Sequence, residues 1–85
     1  MIVEDDPAIA EIHRRFVQRL AGFEVLGVAL TLFDAREQID ILRPDLVLLD
    51  LHMPGLSGFE TLAKIRAMAG PALPVLAMTA DVSPQ

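Results

Sequence analysis

The sequence predicts an α/β domain in which helices pack on both sides of a parallel β-sheet, and three observations support this prediction. Short apolar runs alternate with longer segments whose apolar residues recur at helical spacing, in the order β-α-β-α-β-α-β. The run from Leu46 to Leu49 has no polar alternation, which is typical of a strand that helices cover on both faces. The chain has 85 residues, enough for one small domain, and no linker, repeat or low-complexity stretch divides it.

The four strands are predicted at the short apolar runs Met1–Val3, Phe23–Ala29, Leu46–Leu49 and Pro74–Met78. The first helix is predicted over residues 7–21, because Asp6 suits the N-cap, Pro7 suits the first turn and Gly22 suits the end. Its apolar stripe consists of Ile9, Ile12, Phe16, Val17 and Leu20. On the polar face, Glu11 lies one turn before Arg15 and is expected to pair with it.

The second helix is predicted from about Leu32 to Arg43, with Thr31 at its start and Pro44 beyond its end. Its inward positions are Leu32, Ala35, Ile39 and Leu42. The third helix is predicted from about Gly58 to Ala69, where Ser57 and Glu60 form a capping box. Its inward positions are predicted to be Phe59, Leu62 and Ile65.

Composition excludes several classes of protein. Seven basic residues against twelve acidic ones give a net charge of −5, which argues against a nucleic-acid-binding surface in this segment. The absence of cysteine excludes disulfides and Cys-ligated zinc and fits a cytoplasmic location. No apolar run approaches the ~20 residues of a membrane span, and the acidic start of the chain is unlike a signal peptide.

Polar side chains follow three of the four predicted strands: Glu4-Asp5-Asp6, then Asp50, then Thr79. The carboxyl ends of parallel strands share one crevice, so Asp50 faces the acidic triplet if the first and third strands are neighbours. Crowded carboxylates repel one another unless a cation lies among them, and oxygen ligands suit Mg²⁺. The pattern therefore predicts a Mg²⁺ site beside Asp50, a candidate nucleophile in phosphoryl transfer. The alternative is that these acids only cap the following helices.

Three segments resemble the receiver domain of bacterial two-component response regulators. They are Ile2–Asp6, Asp45–Glu60 with its D-x-x-M-P-x-x-S-G motif, and Pro74–Ala80. The resemblance covers essentially the whole chain, and the motif around Asp50 is its specific part. Residues 9–17 are also similar to regulators of the citrate and dicarboxylate response.

The resemblance implies a flavodoxin-like, doubly wound sheet with strand order 2-1-3-4 and a role for each motif residue. Asp50 matches the phosphoacceptor, Asp5 the direct Mg²⁺ ligand, and Glu4 the acid that acts through water. Asp6 could substitute as a ligand, because the acidic run leaves the register open by one residue. The other implied roles are the metal-coordinating backbone carbonyl of His52, the switch hydroxyl Thr79 with its small neighbour Ala80, and the loop-shaping residues Pro54 and Gly58.

The family continues beyond this pattern with a further helix, strand and helix, and its fifth strand carries a lysine that contacts the phosphoryl group. The only lysine here, Lys64, lies in the third predicted helix and does not match. We therefore expect residues 1–85 to be a receiver domain that is incomplete at its C-terminus. Its fourth strand would then present an open apolar edge, which favours a dimer, a domain swap or a longer parent chain.

The resemblance predicts a signalling module that takes a phosphoryl group from a sensor histidine kinase onto Asp50 with Mg²⁺. Transfer would be stoichiometric rather than enzymatic and would control an output domain, expected to bind DNA, in a longer parent chain. The alternative is a small Mg²⁺-dependent phosphohydrolase that uses Asp50 as a turnover nucleophile. Such enzymes often carry an acid two residues after the nucleophile, where this chain has His52.

Overall fold

Four parallel strands form one sheet in the computed structural model, which describes residues 1–51, 53 and 55–78. The strands are β1 (Ile2–Val3), β2 (Val28–Ala29), β3 (Val47–Asp50) and β4 (Val75–Met78). They lie in the order β2-β1-β3-β4, and each of these pairings is parallel. The helices that connect successive strands are α1 (Pro7–Gln18), α2 (Leu32–Leu42) and α3 (Gly58–Ala69). The predicted fold class and strand order are confirmed.

Local capping chemistry places the start of each helix at the predicted residue. The Asp6 carboxylate accepts hydrogen bonds from the backbone N–H groups of Ala8 and Ile9, at 2.9 and 3.4 Å. Thr31 Oγ1 accepts from the backbone of Asp34 at 3.0 Å. These bonds satisfy N–H groups that have no partner within the helix.

The capping box at the start of α3 is complete. Ser57 Oγ accepts a hydrogen bond from the Glu60 backbone at 3.1 Å, and the Glu60 carboxylate accepts one from the Ser57 backbone at 3.2 Å. Thr61 Oγ1 adds a hydrogen bond to the Ser57 carbonyl at 3.0 Å. The loop that follows Asp50 is therefore anchored at its far end by the first turn of α3.

Replacement of the cap should be measurable. Ser57→Ala removes the side-chain acceptor and is expected to lower the free energy of unfolding by about 1 kcal/mol, whereas Ser57→Thr should retain most of it. Chemical denaturation followed by circular dichroism measures both variants. An equal loss in the two would show that the hydroxyl does not stabilise the helix.

The two faces of the sheet are covered unequally. Helices α2 and α3 cover one face, where Ala35, Ile39 and Ile65 pack with the buried strand residues Val3, Ala29, Val47 and Leu49. Helix α1 lies on the other face, and much of its apolar stripe remains exposed, including Ile12 and Phe16. Leu48, in the middle of β3, is accordingly only half-buried, so β3 is fully covered on one face only.

Three predicted details are wrong. Helix α1 ends at Gln18 rather than residue 21. Phe59 was expected to face inward but is 88% exposed, and Thr61 is fully buried in the same helix. Strand β2 contains only Val28–Ala29, because the preceding apolar residues Phe23 and Leu26 lie along a surface groove rather than in the sheet.

A hydrogen bond from α2 holds the short strand β2 in place. Gln38 Nε2 donates to the carbonyl of Val28 at 3.0 Å, and a Cβ on Gly27 would lie only 2.6 Å from Gln38 Oε1. Glycine at position 27 therefore permits the close approach of this amide. None of the helices in the described ranges is long and apolar enough to cross a membrane.

Candidate functional site

The acidic residues of β1 and β3 meet at the carboxyl edge of the sheet because these two strands are neighbours. Val3 pairs with Leu49, so Glu4 and Asp50 occupy the next position on adjacent strands. The backbone N–H of Glu4 donates to the carbonyl of Ala29 at 2.9 Å, which holds Glu4 in the sheet ladder although β1 ends at Val3. This is the edge at which open α/β sheets bind ligands.

Three carboxylates form one group, which we call the acidic cluster: Glu4, Asp5 and Asp50. Each offers an oxygen atom, and these oxygens all lie within 4.8 Å of one another. Glu4 is 2% exposed and Asp50 is 7% exposed, whereas Asp5 is half-buried at the mouth. Carboxylates so close together and so poorly hydrated cannot all stay ionised without a compensating charge.

The protonation of Glu4 reflects this crowding. Burial, more than any other cause, raises the pKa of Glu4 from its ordinary value of 4.5 to about 8. A side-chain hydrogen bond with Asp50 and the charges of Asp50 and Asp5 also raise it, while a backbone hydrogen bond at Asp6 lowers it. In the metal-free protein at neutral pH, Glu4 therefore holds a proton and shares a hydrogen bond with Asp50.

One atom of the cluster lacks a partner. Oε2 of Glu4 is buried and makes no hydrogen bond with the described part of the chain. A buried carboxylate oxygen without a partner is costly. A cation, or water bound to a cation, would satisfy this oxygen and replace the proton that Glu4 holds.

Asp6 is placed differently from its two acidic neighbours. It is exposed, and its carboxylate caps α1 instead of joining the acidic cluster. The nearby polar face of α1 carries the predicted pair, since Glu11 accepts hydrogen bonds from Arg15 at 3.2 Å and also from Arg14. These guanidinium groups lower the pKa of Glu11 to about 2.

The remaining predicted site residues follow β3 and β4 in the sequence. Gly58 is the first residue of α3, where an added Cβ would make only an ordinary contact with Leu51 at 3.6 Å. His52, Pro54, Thr79 and Ala80 lie outside the described residues, so their roles stay predictions. Sequence reasoning missed the burial of Thr61. Its position four residues from both Ser57 and Ile65 places it on the same face of α3 as these residues, and this spacing could have indicated that it is buried.

Residues 1–85 match the family described as the response regulator receiver domain. The chain belongs to this family. The receiver domain is 39% identical over 67 residues to the transcriptional regulatory protein MalR of Bacillus subtilis, covering 79% of this chain and 28% of MalR. It is 36% identical to the probable C4-dicarboxylate response regulator DctR of Priestia megaterium, covering 94% of this chain and 35% of DctR.

Solved structures show the same fold. The crystal structure of a LuxR-family two-component response regulator from Aurantimonas sp. SI85-9A1 superposes with a TM-score of 0.79 at 34% identity. The match covers 93% of this receiver domain and 56% of that chain. The predicted family and its similarity to dicarboxylate-response regulators are confirmed.

Members of the receiver-domain family share several general properties. Receiver domains bind Mg²⁺ at an acidic pocket, and response regulators are phosphorylated by sensor histidine kinases and often occur in multidomain chains. Most are signalling proteins, although a protein-glutamate methylesterase of Anaeromyxobacter dehalogenans is also 37% identical over 95% of this chain. The chain spans 28% to 35% of the length of MalR and DctR.

Proposed function

We propose that Asp50 of this receiver domain accepts a phosphoryl group from the phosphohistidine of a sensor histidine kinase. The observation that carries the proposal is the acidic cluster, in which Asp50 lies at the carboxyl end of β3 with Glu4 and Asp5 beside it. Family membership supports the reaction class, and the position of Asp50 in the D-x-x-M-P-x-x-S-G motif supports the choice of residue.

In the proposed reaction, a carboxylate oxygen of Asp50 attacks the phosphorus atom of the phosphohistidine. The new bond joins that oxygen to phosphorus, the phosphorus–nitrogen bond breaks, and the imidazole leaves with the bonding electron pair and takes up a proton. The product is an acyl phosphate on Asp50. The chain contributes chiefly by positioning, since β3 and the anchored β3–α3 loop hold the nucleophile at the crevice.

The acidic cluster suits Mg²⁺, because it offers only oxygen donors and contains the buried Oε2 of Glu4 without a partner. We propose Asp5 and Asp50 as direct ligands, with the backbone carbonyl of His52, and Glu4 as a carboxylate that acts through water. When bound, the cation neutralises charge on the oxygens of the transferring phosphoryl group. A small phosphohydrolase remains the alternative, and no feature of the described residues favours it.

Two matched variants separate the candidate ligands Asp5 and Asp6. Asp5→Asn is expected to weaken Mg²⁺ binding at least tenfold. A loss of about this size is typical when even a residue that only supports the ligands of a metal site is replaced. Asp6→Asn keeps a capping side chain and should bind Mg²⁺ as the unmodified protein does. Isothermal titration calorimetry measures both affinities. Weakened binding in Asp6→Asn alone would assign the ligand to Asp6.

Incubation with a small phosphodonor tests the function directly. In the presence of Mg²⁺, acetyl phosphate is expected to add one phosphoryl group per chain, seen by intact-mass spectrometry. The adduct should be lost on treatment with hydroxylamine, which cleaves acyl phosphates, and should not form in EDTA. Many turnovers of the donor without a stoichiometric adduct would favour the hydrolase instead.

We further propose that phosphorylation is read by Thr79 and its small neighbour Ala80, with Pro54 and Gly58 shaping the loop beside Asp50. The similarity to MalR and DctR supports an output domain that regulates transcription, acting in the cytoplasm. In this proposal the receiver domain itself contacts neither nucleic acid nor membrane. The kinase is the partner that the site must recognise.

A further inference from the structure

The chain between β3 and α3 follows the candidate nucleophile directly, and two backbone hydrogen bonds restrain it. The N–H of Leu51 donates to the carbonyl of Met78 at 2.9 Å, so the pairing of β3 with β4 continues one residue past the end of β3. The N–H of Leu56 donates to the carbonyl of Met53 at 3.2 Å, and Gly55 within this turn has a φ of 79°. Glycine adopts such a positive φ without steric cost, so the turn is locally favoured.

Met53 ties the middle of this segment to the core. It is 6% exposed, whereas the other described residues between β3 and α3, Leu51 and residues 55–57, are half-buried or exposed. The side chain of Met53 belongs to the core that α2 and α3 form with the strands. Connecting segments normally run over the surface, and ordering a flexible methionine side chain has an entropic cost. The burial of its apolar surface offsets this cost, so Met53 anchors the segment.

The anchor is next to the proposed metal ligands in the sequence. Met53 comes three residues after Asp50, and His52, whose backbone carbonyl is a proposed Mg²⁺ ligand, lies between Leu51 and Met53. The hydrogen bond of Leu51 and the buried side chain of Met53 therefore restrain the chain before and after that ligand. Mg²⁺ requires nearly octahedral oxygen ligands at about 2.0–2.1 Å, so a ligand on a freely moving segment binds it less tightly.

We propose that Met53 is a positioning residue for the Mg²⁺ site. Its burial in the core holds the chain after Asp50 where the backbone carbonyl of His52 and the carboxylate of Asp50 can bind one cation. This inference rests on the metal site proposed above. Met53 contributes no ligand atom and acts through the backbone of its neighbours. The protein supplies this order before the cation binds, so little of the binding free energy is lost in ordering the segment.

Isothermal titration calorimetry with Mg²⁺ alone, on variants shown to be folded by circular dichroism, tests the proposal. Met53→Ala removes the anchor and is expected to weaken Mg²⁺ binding about tenfold. Met53→Leu keeps an apolar side chain of similar volume and should bind within about twofold of the unmodified protein. Ile39→Ala is the matched control, because Ile39 is 7% exposed in the same core but lines a cavity with Pro44 and Pro74, which precede β3 and β4 at the opposite edge of the sheet. It should lower the stability and leave the Mg²⁺ affinity unchanged.

The outcomes of the titration separate this inference from the proposed metal site. An affinity that Met53→Ala leaves unchanged, or lowers no more than Ile39→Ala does, would overturn the role of Met53 and leave the metal site intact. An unmodified chain that binds no Mg²⁺ would overturn the metal site and this role with it. If either alanine variant does not fold, Met53→Val and Ile39→Val make the same comparison with smaller changes, and Met53→Val should weaken binding more than Ile39→Val does.

Amide hydrogen exchange gives a second readout that needs no variant. Because the proposal has the segment ordered before the cation binds, the N–H groups of Leu51 and Leu56 should be protected in EDTA, and Mg²⁺ should add less than about tenfold to their protection. Free exchange of both groups in EDTA, followed by protection when Mg²⁺ is added, would show that the cation orders the segment. That result would contradict the role proposed for Met53.

Discussion

Asp50→Asn is expected to abolish formation of the acyl phosphate while making the metal-free protein more stable at pH 8. The amide cannot attack phosphorus, so no phosphoryl group should be retained from acetyl phosphate even with Mg²⁺. The same change removes a buried charge and a hydrogen bond that raise the pKa of Glu4. Glu4 should then ionise at lower pH, and the repulsion within the acidic cluster should fall.

Intact-mass spectrometry measures the first effect and thermal unfolding in EDTA measures the second. Asp40→Asn is a suitable control, since Asp40 is an exposed carboxylate on α2, outside the acidic cluster. It should accept one phosphoryl group and unfold as the unmodified protein does. A phosphoryl group retained by Asp50→Asn would move the acceptor to another residue, and an unchanged stability would show that Asp50 does not destabilise ionised Glu4.

The helices could be predicted from the sequence because their start signals are local. Asp6, Thr31 and Ser57 each accept a hydrogen bond from a residue two or three positions ahead, so no knowledge of the rest of the fold is needed. The strand order could not be predicted from such local signals. It rested on the resemblance to receiver domains and on the run of apolar residues in β3, which indicates a central strand.

Periodicity was less informative about which residues are covered. In α3 the buried positions are Thr61 and Ile65, and Phe59 lies outside their row although it is the largest apolar residue of the helix. Thr61 can be buried because its hydroxyl bonds to the Ser57 carbonyl. A hydrophobicity pattern ranks Phe above Thr and cannot detect that hydrogen bond.

The acidic cluster was predictable as a meeting of strand ends, but the roles of its neighbours were not. Asp5 and Asp6 are adjacent and chemically alike, and only the capping bonds of Asp6 turn its carboxylate away from the cluster. The protonation of Glu4 depends on burial and on Asp50, which is 46 positions away along the chain. Neither property is encoded in a local motif.

Raising the pH from about 5 to above 8 in the absence of divalent cations is expected to destabilise the protein, mainly through Glu4. Its pKa is about 8 in the fold against an ordinary value of 4.5, so between these values the folded protein holds a proton that the unfolded chain releases. The contribution is therefore complete below about pH 4.5, is lost as the pH rises through 8, and is constant above that. The expected loss is on the order of 3 kcal/mol, which is below the full conversion of the pKa shift because the half-buried Asp5 leaves one side of the cluster open to screening by solvent.

Glu4→Gln isolates this effect, because glutamine keeps the shape and hydrogen-bonding capacity of the protonated acid but cannot ionise. Denaturant unfolding in EDTA should show a decline in stability with pH for the unmodified protein that Glu4→Gln lacks. Burial lowers the pKa of the Met1 amino group, which raises stability with pH equally in both proteins and so cancels in the comparison. Glu11 does not interfere, since its lowered pKa of about 2 makes it titrate below this range. Because Mg²⁺ favours ionised carboxylates, adding Mg²⁺ should restore stability at pH 8 more than at pH 5. If the unmodified protein were equally stable at both pH values without metal, Glu4 would already be ionised in the fold, and the cluster would not need a cation to compensate its charge.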